Sequence, residues 1–471
     1  MNLPDNGILT AVPPARVHLI GIGGAGMSGI AQVLLSRNHP VTGSDLQPNA
    51  ATERLIAQGA SIYTGHHADN LGEVDIVVIS SAVADDNPEV LAAKARQIPV
   101  LLRAQMLAEL MRDNFSITIA GSHGKTTASA LASSLLLDAG LAPTYVLGGT
   151  LNATGCNAQQ GDKPDYLIAE ADESDGSFVH LFPTLAVVTS LDPDHMGTYG
   201  GDVTRLRSAF LRFLHKLPDD GIAHLCLDHP AVRELIPDIR HKVISYGFAD
   251  DATVRACEYR QQGHISQFQV VTPEHSPFRV QIPLPGRHNV QNALAAISIG
   301  LQLQIDIAVI QASLRGFQGI GRRFNTRQCS LPQGDIIWID DYAHHPAELS
   351  ATLATIRDGW PERRLLVAYQ PHRYTRTHDL FDEQIALLAD IEHLVLCDIY
   401  AAGEAPIKGA GGTDLYAAIA ATAQGTAPTY VDQIADLPHI LRDLIQADDI
   451  VLTVGAGNIG QVARTLFNNH V

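Results

Sequence analysis

Lys125 stands behind Gly121-Ser122-His123-Gly124 and ahead of Thr126-Thr127. A turn of backbone N–H groups with one ammonium can cradle the β- and γ-phosphates of a nucleotide, and a following hydroxyl can reach Mg2+. The run is not a strict phosphate-loop pattern, because Ile119 occupies the place of its first Gly. A Gly-rich turn with a solvated lysine is the alternative; the apolar run before it and the helical stretch after it favour phosphate. Glu170 and His195 each follow a further apolar run. A carboxylate and a neutral imidazole can both bind a divalent ion. Oxygen donors suit Mg2+ better, so Glu170 is the stronger candidate and His195 keeps a structural alternative.

A second glycine pattern, Gly21-x-Gly23-Gly24-x-Gly26, is followed 22 residues after Gly23 by Asp45. Such glycines let backbone N–H groups approach a diphosphate at a helix N-terminus, and the acid can take a ribose hydroxyl. The pattern points to a nucleotide diphosphate without naming the nucleotide, and a plain tight turn stays open. Gly455-Ala-Gly457-Asn-Ile-Gly460 has the same form without a downstream acid, and reads as a packing turn or the lining of a cleft. Asp340-Asp341-Tyr342-Ala-His344-His345-Pro346 and Gln370-Pro-His372-Arg373-Tyr374-Thr-Arg376-Thr377 each close an apolar run. Two arginines three apart can clamp a carboxylate or phosphate; a solvated basic turn is the alternative.

These residues need strands that end in turns and helices that begin there. Strands are expected at 17–20, 39–42, 75–79, 115–120, 166–169, 186–189, 336–339, 365–369, 393–396 and 450–454, alternating with helices, and 222–285 reads as β-rich. The alternation predicts an α/β fold with mostly parallel sheets. The 471 residues accommodate three domains, with boundaries expected near 105 and 320. Residues 1 to about 14 read as a loose tail without a signal peptide.

The formal net charge of -18 argues against nucleic acid and anionic membranes as partners. No uninterrupted apolar stretch is long enough to span a bilayer. The five cysteines are scattered and odd in number, as in a reduced cytoplasmic protein.

Taken together, Gly21 to Ala31, Gly121 to Thr127, Glu170-Ala-Asp-Glu-Ser-Asp175, Asp194-His-Met-Gly-Thr-Tyr199, Gly286-Arg-His-Asn289 with Asn292, Gly321-Arg-Arg-Phe324, Asp340 to Pro346 and Gln370 to Thr377 resemble the Mur ligases, specifically the alanine-adding branch. The resemblance implies three domains: 1–105, Rossmann-like and UDP-sugar-binding; 106–320, a P-loop ATPase-like domain with a parallel sheet and a small β-rich part; and 321–471, Rossmann-like and amino-acid-binding, closing over the second. It implies that ATP phosphorylates the carboxylate of UDP-N-acetylmuramic acid and that the amine of L-alanine attacks the acyl phosphate. The implied product is a peptidoglycan precursor, and the implied enzyme a monomer or dimer.

By matching position, Gly121 to Thr127 would hold ATP, with Lys125 on its phosphates. Thr126 and Glu170 would hold a first Mg2+, or Mn2+, and His195 a second. His288, Asn289 and Asn292 would face adenine, Arg323 an ATP phosphate and Asp341 the ribose. Tyr342, His344, Arg373 and Arg376 would surround alanine and the acyl phosphate. Gly23, Gly24, Gly26, Asp45, His66 and Ser81 would hold the UDP-sugar, with His123 also near it. Ser122 stands where Thr is expected, a mild change, and Gly197 where Asp is expected, which puts one polar contact near the metal in doubt. Residues 206–214 lack the lysine that several Mur ligases carbamylate, in keeping with the alanine-adding branch. A recycling ligase that adds a tripeptide to the same sugar nucleotide is the nearest alternative. An NAD(P) oxidoreductase leaves the phosphate loop and both arginine turns unexplained. A non-catalytic nucleotide-binding regulator is disfavoured by the complete phosphate, metal and arginine set.

Overall fold

The computed structural model describes residue 9 and residues 13–161, 166–422 and 427–467. The expected loose tail falls mostly outside these residues. The chain divides into two compact units. One comprises residues 1–259, 267–282 and 289–318, and the other 260–266, 283–288 and 319–471.

The first sheet is parallel, ordered β3-β2-β1-β4-β5, from β1 (Val17–Ile20), β2 (Val41–Asp45), β3 (Ser61–Thr64), β4 (Ile76–Ile79) and β5 (Val100–Leu102). Strand β2 starts later than the expected 39–42 and carries Asp45 as its last residue. Pro40 has no N–H to give a ladder, and only its carbonyl pairs, with Val17 N at 2.9 Å. The edge strands β3 and β5 were not anticipated: the half-exposed β3 has no apolar run, and the three apolar residues of β5 run directly into helix Arg103–Met111.

The second sheet is ordered β15-β14-β13-β12-β11-β10-β6-β9-β7-β8. Its members are β6 (Phe115–Ala120), β7 (Thr144–Leu151), β8 (Cys156–Gln159), β9 (Tyr166–Ala171), β10 (Leu185–Val188), β11 (Ile222–Cys226), β12 (Lys242–Gly247), β13 (Val254–Gln262), β14 (Ile265–Val271) and β15 (Phe278–Ile282). Strand β9 extends past the expected 166–169 and contains Glu170; β10 begins and ends one residue earlier than 186–189.

One cluster of buried apolar side chains runs from Ala15 to Leu235, so the first sheet and the phosphate-loop sheet share a core. Helix Ala25–Ser36 sits in that core. A Cβ at Gly29 would lie 3.0 Å from Val146 Cγ1 and 3.2 Å from Ala158 Cβ, so Gly29 allows helix and sheet to approach. Gly29→Val is therefore expected to destabilise the unit by about 1–3 kcal/mol through overpacking. Urea unfolding checks this; an unchanged midpoint would argue against the close contact.

The third sheet is ordered β16-β17-β21-β18-β19-β20, with β16 (Asn325–Leu331), β17 (Gly334–Asp341), β18 (Leu365–Tyr369), β19 (His393–Cys397), β20 (Thr429–Val431) and β21 (Ile450–Val454). Strand β17 is longer than the expected 336–339 and forms an antiparallel hairpin with the unanticipated β16. Apolar clusters cover both faces. That explains the continuous apolar run of β18 and that of β21, interrupted only by the buried Thr453: strands buried on both faces do not alternate.

Candidate functional site

Strands β9 and β10 flank β6 in parallel, on opposite sides. All three end at one edge, where the loop Gly121–Gly124 turns into helix Lys125–Asp138. Gly124 has φ 83° and is the N-cap. A Cβ there would run into the Asn292 amide, so both space and backbone angle require glycine. The tip of β10 holds the loop from outside. Ser190 Oγ accepts from His123 N at 2.8 Å, Thr189 Oγ1 donates to His123 O at 2.5 Å, and Ser122 Oγ donates to Asp192 O at 3.1 Å. His123 Nε2 lies 3.5 Å from Asp192. Thr126 and Thr127 are buried in the first turn of the helix.

Lys125 Nζ donates to Gly121 O at 2.6 Å and to Glu173 Oε2 at 2.7 Å. Burial works against its charge, but Glu173, Asp172 and Glu170 outweigh it and hold the ammonium above its ordinary range. Glu170 Oε2 accepts from Thr126 Oγ1 at 3.0 Å, and Oε1 from Gly148 N at 2.6 Å. His195 occupies a left-handed backbone position, φ 54° and ψ 34°, and its Nε2 lies 3.4 Å from Asp194 Oδ2. Its loop is tied to the end of β9: Tyr199 OH donates to Glu173 O at 2.5 Å, and Thr198 Oγ1 to Ser174 O at 2.6 Å. A Cβ at Gly197 would meet open space, so the missing carboxylate leaves room there. Asn289 and Asn292 are buried on helix Arg287–Gln302, with Asn292 Nδ2 3.4 Å from Asn289 Oδ1.

In the first sheet, Asp45 Oδ2 accepts from Gly23 N at 2.8 Å, joining glycine loop to acid. A Cβ at Gly26 would press on Arg103, whose guanidinium lies 3.4 Å from Asp172. Gly24 is the N-cap of helix Ala25–Ser36. Ser81 is exposed in the turn after β4, and His66 follows β3 with Nδ1 2.9 Å from Ser44 Oγ.

In the other unit, β17 and β18 both lie against β21 and end beside Val454. The turns carrying Asp341–His344 and His372–Arg376 therefore share one sheet edge. Asp341 Oδ1 accepts from Ala343 N at 2.8 Å. The guanidiniums of Arg322 and Arg323 stack over Tyr342 at 4.9 and 5.0 Å. His344 Nδ1 bonds Tyr342 O at 3.0 Å, and burial pulls its pKa down to about 4. Burial likewise lowers His288 to about 4. Arg376 Nη1 donates to His372 Nδ1 at 3.2 Å, and His372 stacks on Tyr400 at 5.6 Å. Arg373 has φ 72° and pairs with Glu404 at 3.3 Å. His195, Arg322, Phe324 and Arg373 are non-glycine residues at positive φ inside the quoted motifs, and such backbone strain gathers at functional sites. The Gly455–Gly460 turn packs on its own sheet edge: Ile459 N donates to Gln370 Oε1 at 3.1 Å.

Burial pushes the Asp341 carboxyl up to about 6, against the opposing pull of Ala343 N–H and Arg323. Raised above its unfolded value near 3.8, this group favours folding at low pH, and the benefit is lost as pH rises through about 6. Asp341→Asn is expected to raise the thermal midpoint at pH 7.5 and to raise it less at pH 5. A thermal melt series checks this; a gain larger at pH 5 has the wrong sign.

Sequence reasoning did not single out Glu173, Tyr400 or Glu404 for a role. Glu173 lay inside a quoted motif. Tyr400 and Glu404 follow β19, and their place at a strand's carboxyl end was the only available signal.

Three family models match in chain order: the Mur ligase family catalytic domain at residues 16–115, the Mur ligase middle domain at 119–300, and the Mur ligase glutamate ligase domain at 322–457. The chain belongs to the Mur ligase family. As a Mur ligase it is 48% identical over 453 residues, 96% of each chain, to UDP-N-acetylmuramate–L-alanine ligase of Methylococcus capsulatus. Its fold matches the crystal structure of UDP-N-acetylmuramate–alanine ligase of Thermotoga maritima with TM-score 0.80 and 26% identity, covering 96% of this chain and 98% of that one. A murein peptide ligase from Psychrobacter arcticus matches with TM-score 0.70 and 21% identity over 96% of this chain and 98% of that one, which bears on the fold alone.

Proposed function

We propose that this Mur ligase joins L-alanine to the carboxylate of UDP-N-acetylmuramic acid, converting ATP to ADP and phosphate and forming UDP-N-acetylmuramoyl-L-alanine for peptidoglycan synthesis. The single observation that carries the reading is 48% identity, over 96% of both chains, to a ligase of that name. Lys125, Glu170 and the glycine loop at one sheet edge supply the matching chemistry. The division into domains 1–105, 106–320 and 321–471 belongs to the same proposal.

A carboxylate and an amine do not condense in water, so the carboxylate must first receive the γ-phosphoryl group of ATP. Lys125, kept protonated by Glu173, neutralises charge on the transferring group, and the Gly121–Gly124 backbone orients it. The alanine amine then attacks the acyl carbonyl, a tetrahedral intermediate forms, and its C–O bond to phosphate breaks. Arg373 and Arg376 hold the anionic groups of alanine and the acyl phosphate, with Tyr342 and His344 alongside; His344, kept neutral by burial, leaves the incoming amine unrepelled. His288, Asn289, Asn292, Arg323 and Asp341 serve ATP. Gly23, Gly24, Gly26, Asp45, His66 and Ser81 serve the UDP-sugar, with His123 near it.

Thr126 Oγ1 and Glu170 Oε2, 3.0 Å apart, are hard oxygen donors that fit Mg2+ and would hold a first divalent ion, with His195 a ligand of a second. Bound there, Mg2+ or Mn2+ supplies further neutralisation of phosphate charge. All five cysteines are free, as in a cytoplasmic enzyme, and among the described residues no helix is long and apolar enough to cross a membrane.

Phosphate release from ATP tests the reading, with Mg2+ and UDP-N-acetylmuramic acid present and L-alanine or the tripeptide added in parallel. Release is expected to require both the sugar nucleotide and L-alanine. Release only with the tripeptide assigns the recycling reaction instead, and release with neither sinks the assigned reaction.

A further inference from the structure

Glu89 belongs to no site described so far, yet its side chain is fully buried beside the end of β2. Four donors converge on it. Ser44 Oγ at 2.6 Å and His18 Nε2 at 3.3 Å reach Oε2; Asn70 Nδ2 at 2.6 Å and His67 N at 3.1 Å reach Oε1. Burial alone would neutralise the carboxyl. The bonds from His18, Ser44 and Asn70 prevail and bring it down to about 2, so it is an ionised group that can only accept.

This settles where the protons lie along the chain of contacts. Ser44 has one hydroxyl proton, and it goes to Glu89. Ser44 Oγ also lies 2.9 Å from His66 Nδ1 and must accept there. A neutral His66 ring therefore carries its proton on Nδ1 and a lone pair on Nε2. The ring is 16% exposed, and no hydrogen-bond partner of Nε2 is found among the described residues. The preceding Gly65 donates its N–H to Asp45 O at 2.8 Å, so His66 stands beside the Asp45 and Gly23 pair.

We propose that Glu89 and Ser44 are positioning residues that fix His66 as the Nδ1–H tautomer, so that its Nε2 accepts a hydrogen bond from the uridine of the sugar nucleotide. This rests on the reading that the first sheet holds the UDP portion. The donor is either the imide N–H of the base or the ribose 2′-hydroxyl. An imide N–H would make the relay a device for base selection, because cytosine presents an acceptor at that ring position.

The experiment measures binding of UDP, CDP and 2′-deoxy-UDP to the full chain by calorimetry. Parent, Ser44→Ala, Ser44→Thr and Glu89→Gln are compared, with ATP binding to each sample as the control for folding. The parent is expected to bind UDP about tenfold more tightly than the analogue lacking the donor, CDP for the base or 2′-deoxy-UDP for the ribose. Ser44→Ala and Glu89→Gln should weaken UDP by a similar factor and erase the preference, while Ser44→Thr keeps it. Two-bond 1H–15N spectra give an independent readout: His66 is expected as Nδ1–H in the parent and largely as Nε2–H in Ser44→Ala. Equal parent affinity for all three nucleotides, or an unchanged preference and tautomer in Ser44→Ala, would overturn the relay. A parent that binds ATP but no UDP would overturn the reading of the first sheet, and the relay with it.

Discussion

Lys125→Ala is expected to lower ATP turnover by at least about a thousandfold while leaving affinity for UDP-N-acetylmuramic acid within about threefold of the parent. The ammonium meets the turn through Gly121 O and the acidic surroundings through Glu173, and no other lysine lies in that loop. On the proposed function, its removal takes away the cation that neutralises phosphoryl charge where low dielectric makes that charge expensive. It also leaves the buried Glu173 carboxylate unpaired, so a moderate loss of stability should accompany the loss of rate. Single-turnover phosphate release and calorimetry with the sugar nucleotide separate the two effects. A loss of sugar-nucleotide affinity as large as the loss of rate would refute the assignment of the two glycine loops to different ligands.

Glu170→Gln is expected to lower kcat by about a hundredfold to a thousandfold and to shift the Mg2+ dependence to higher concentration. The amide is nearly isosteric: its oxygen can still accept from Gly148 N while its NH2 donates to Thr126 Oγ1, so stability should change little. What it lacks is the negative charge that a hard cation requires. Activity titrated against MgCl2 for parent and variant checks this. A kcat loss with an unshifted Mg2+ curve would remove Glu170 from the metal site.

Both predictions concern residues visible before any coordinates. Gly124 and Lys125 could be read because their chemistry is local: the turn needs a backbone angle that glycine supplies, and the lysine follows at once. Strands β4 and β18 were readable from unbroken apolar runs, and β1, β6 and β21 from apolar runs interrupted only by His18, by Ser116 and Thr118, and by Thr453. The edge strand β3 was not, since a strand with one side in solvent lacks that signature, and β5 was not, because its three apolar residues run directly into a helix. The extension of β9 through Glu170 was hidden for a related reason, because a carboxylate at a strand end looks like the start of a loop.

The order of residues along the chain by itself determined the α/β class, the two glycine loops, and the candidate phosphate, metal and arginine residues. Each depends on neighbours a few positions away, within reach of one turn of backbone. Only the tertiary structure decided that β9 and β10 take opposite sides of β6, and so bring Glu170 and the loop of His195 to the edge where Lys125 stands. It alone decided the partners Glu173 for Lys125, Glu404 for Arg373, and Glu89 for Ser44 and His18. The physical reason is that a buried charge must find its counterpart through space. Spacing along the chain carries no record of which strand will lie beside which.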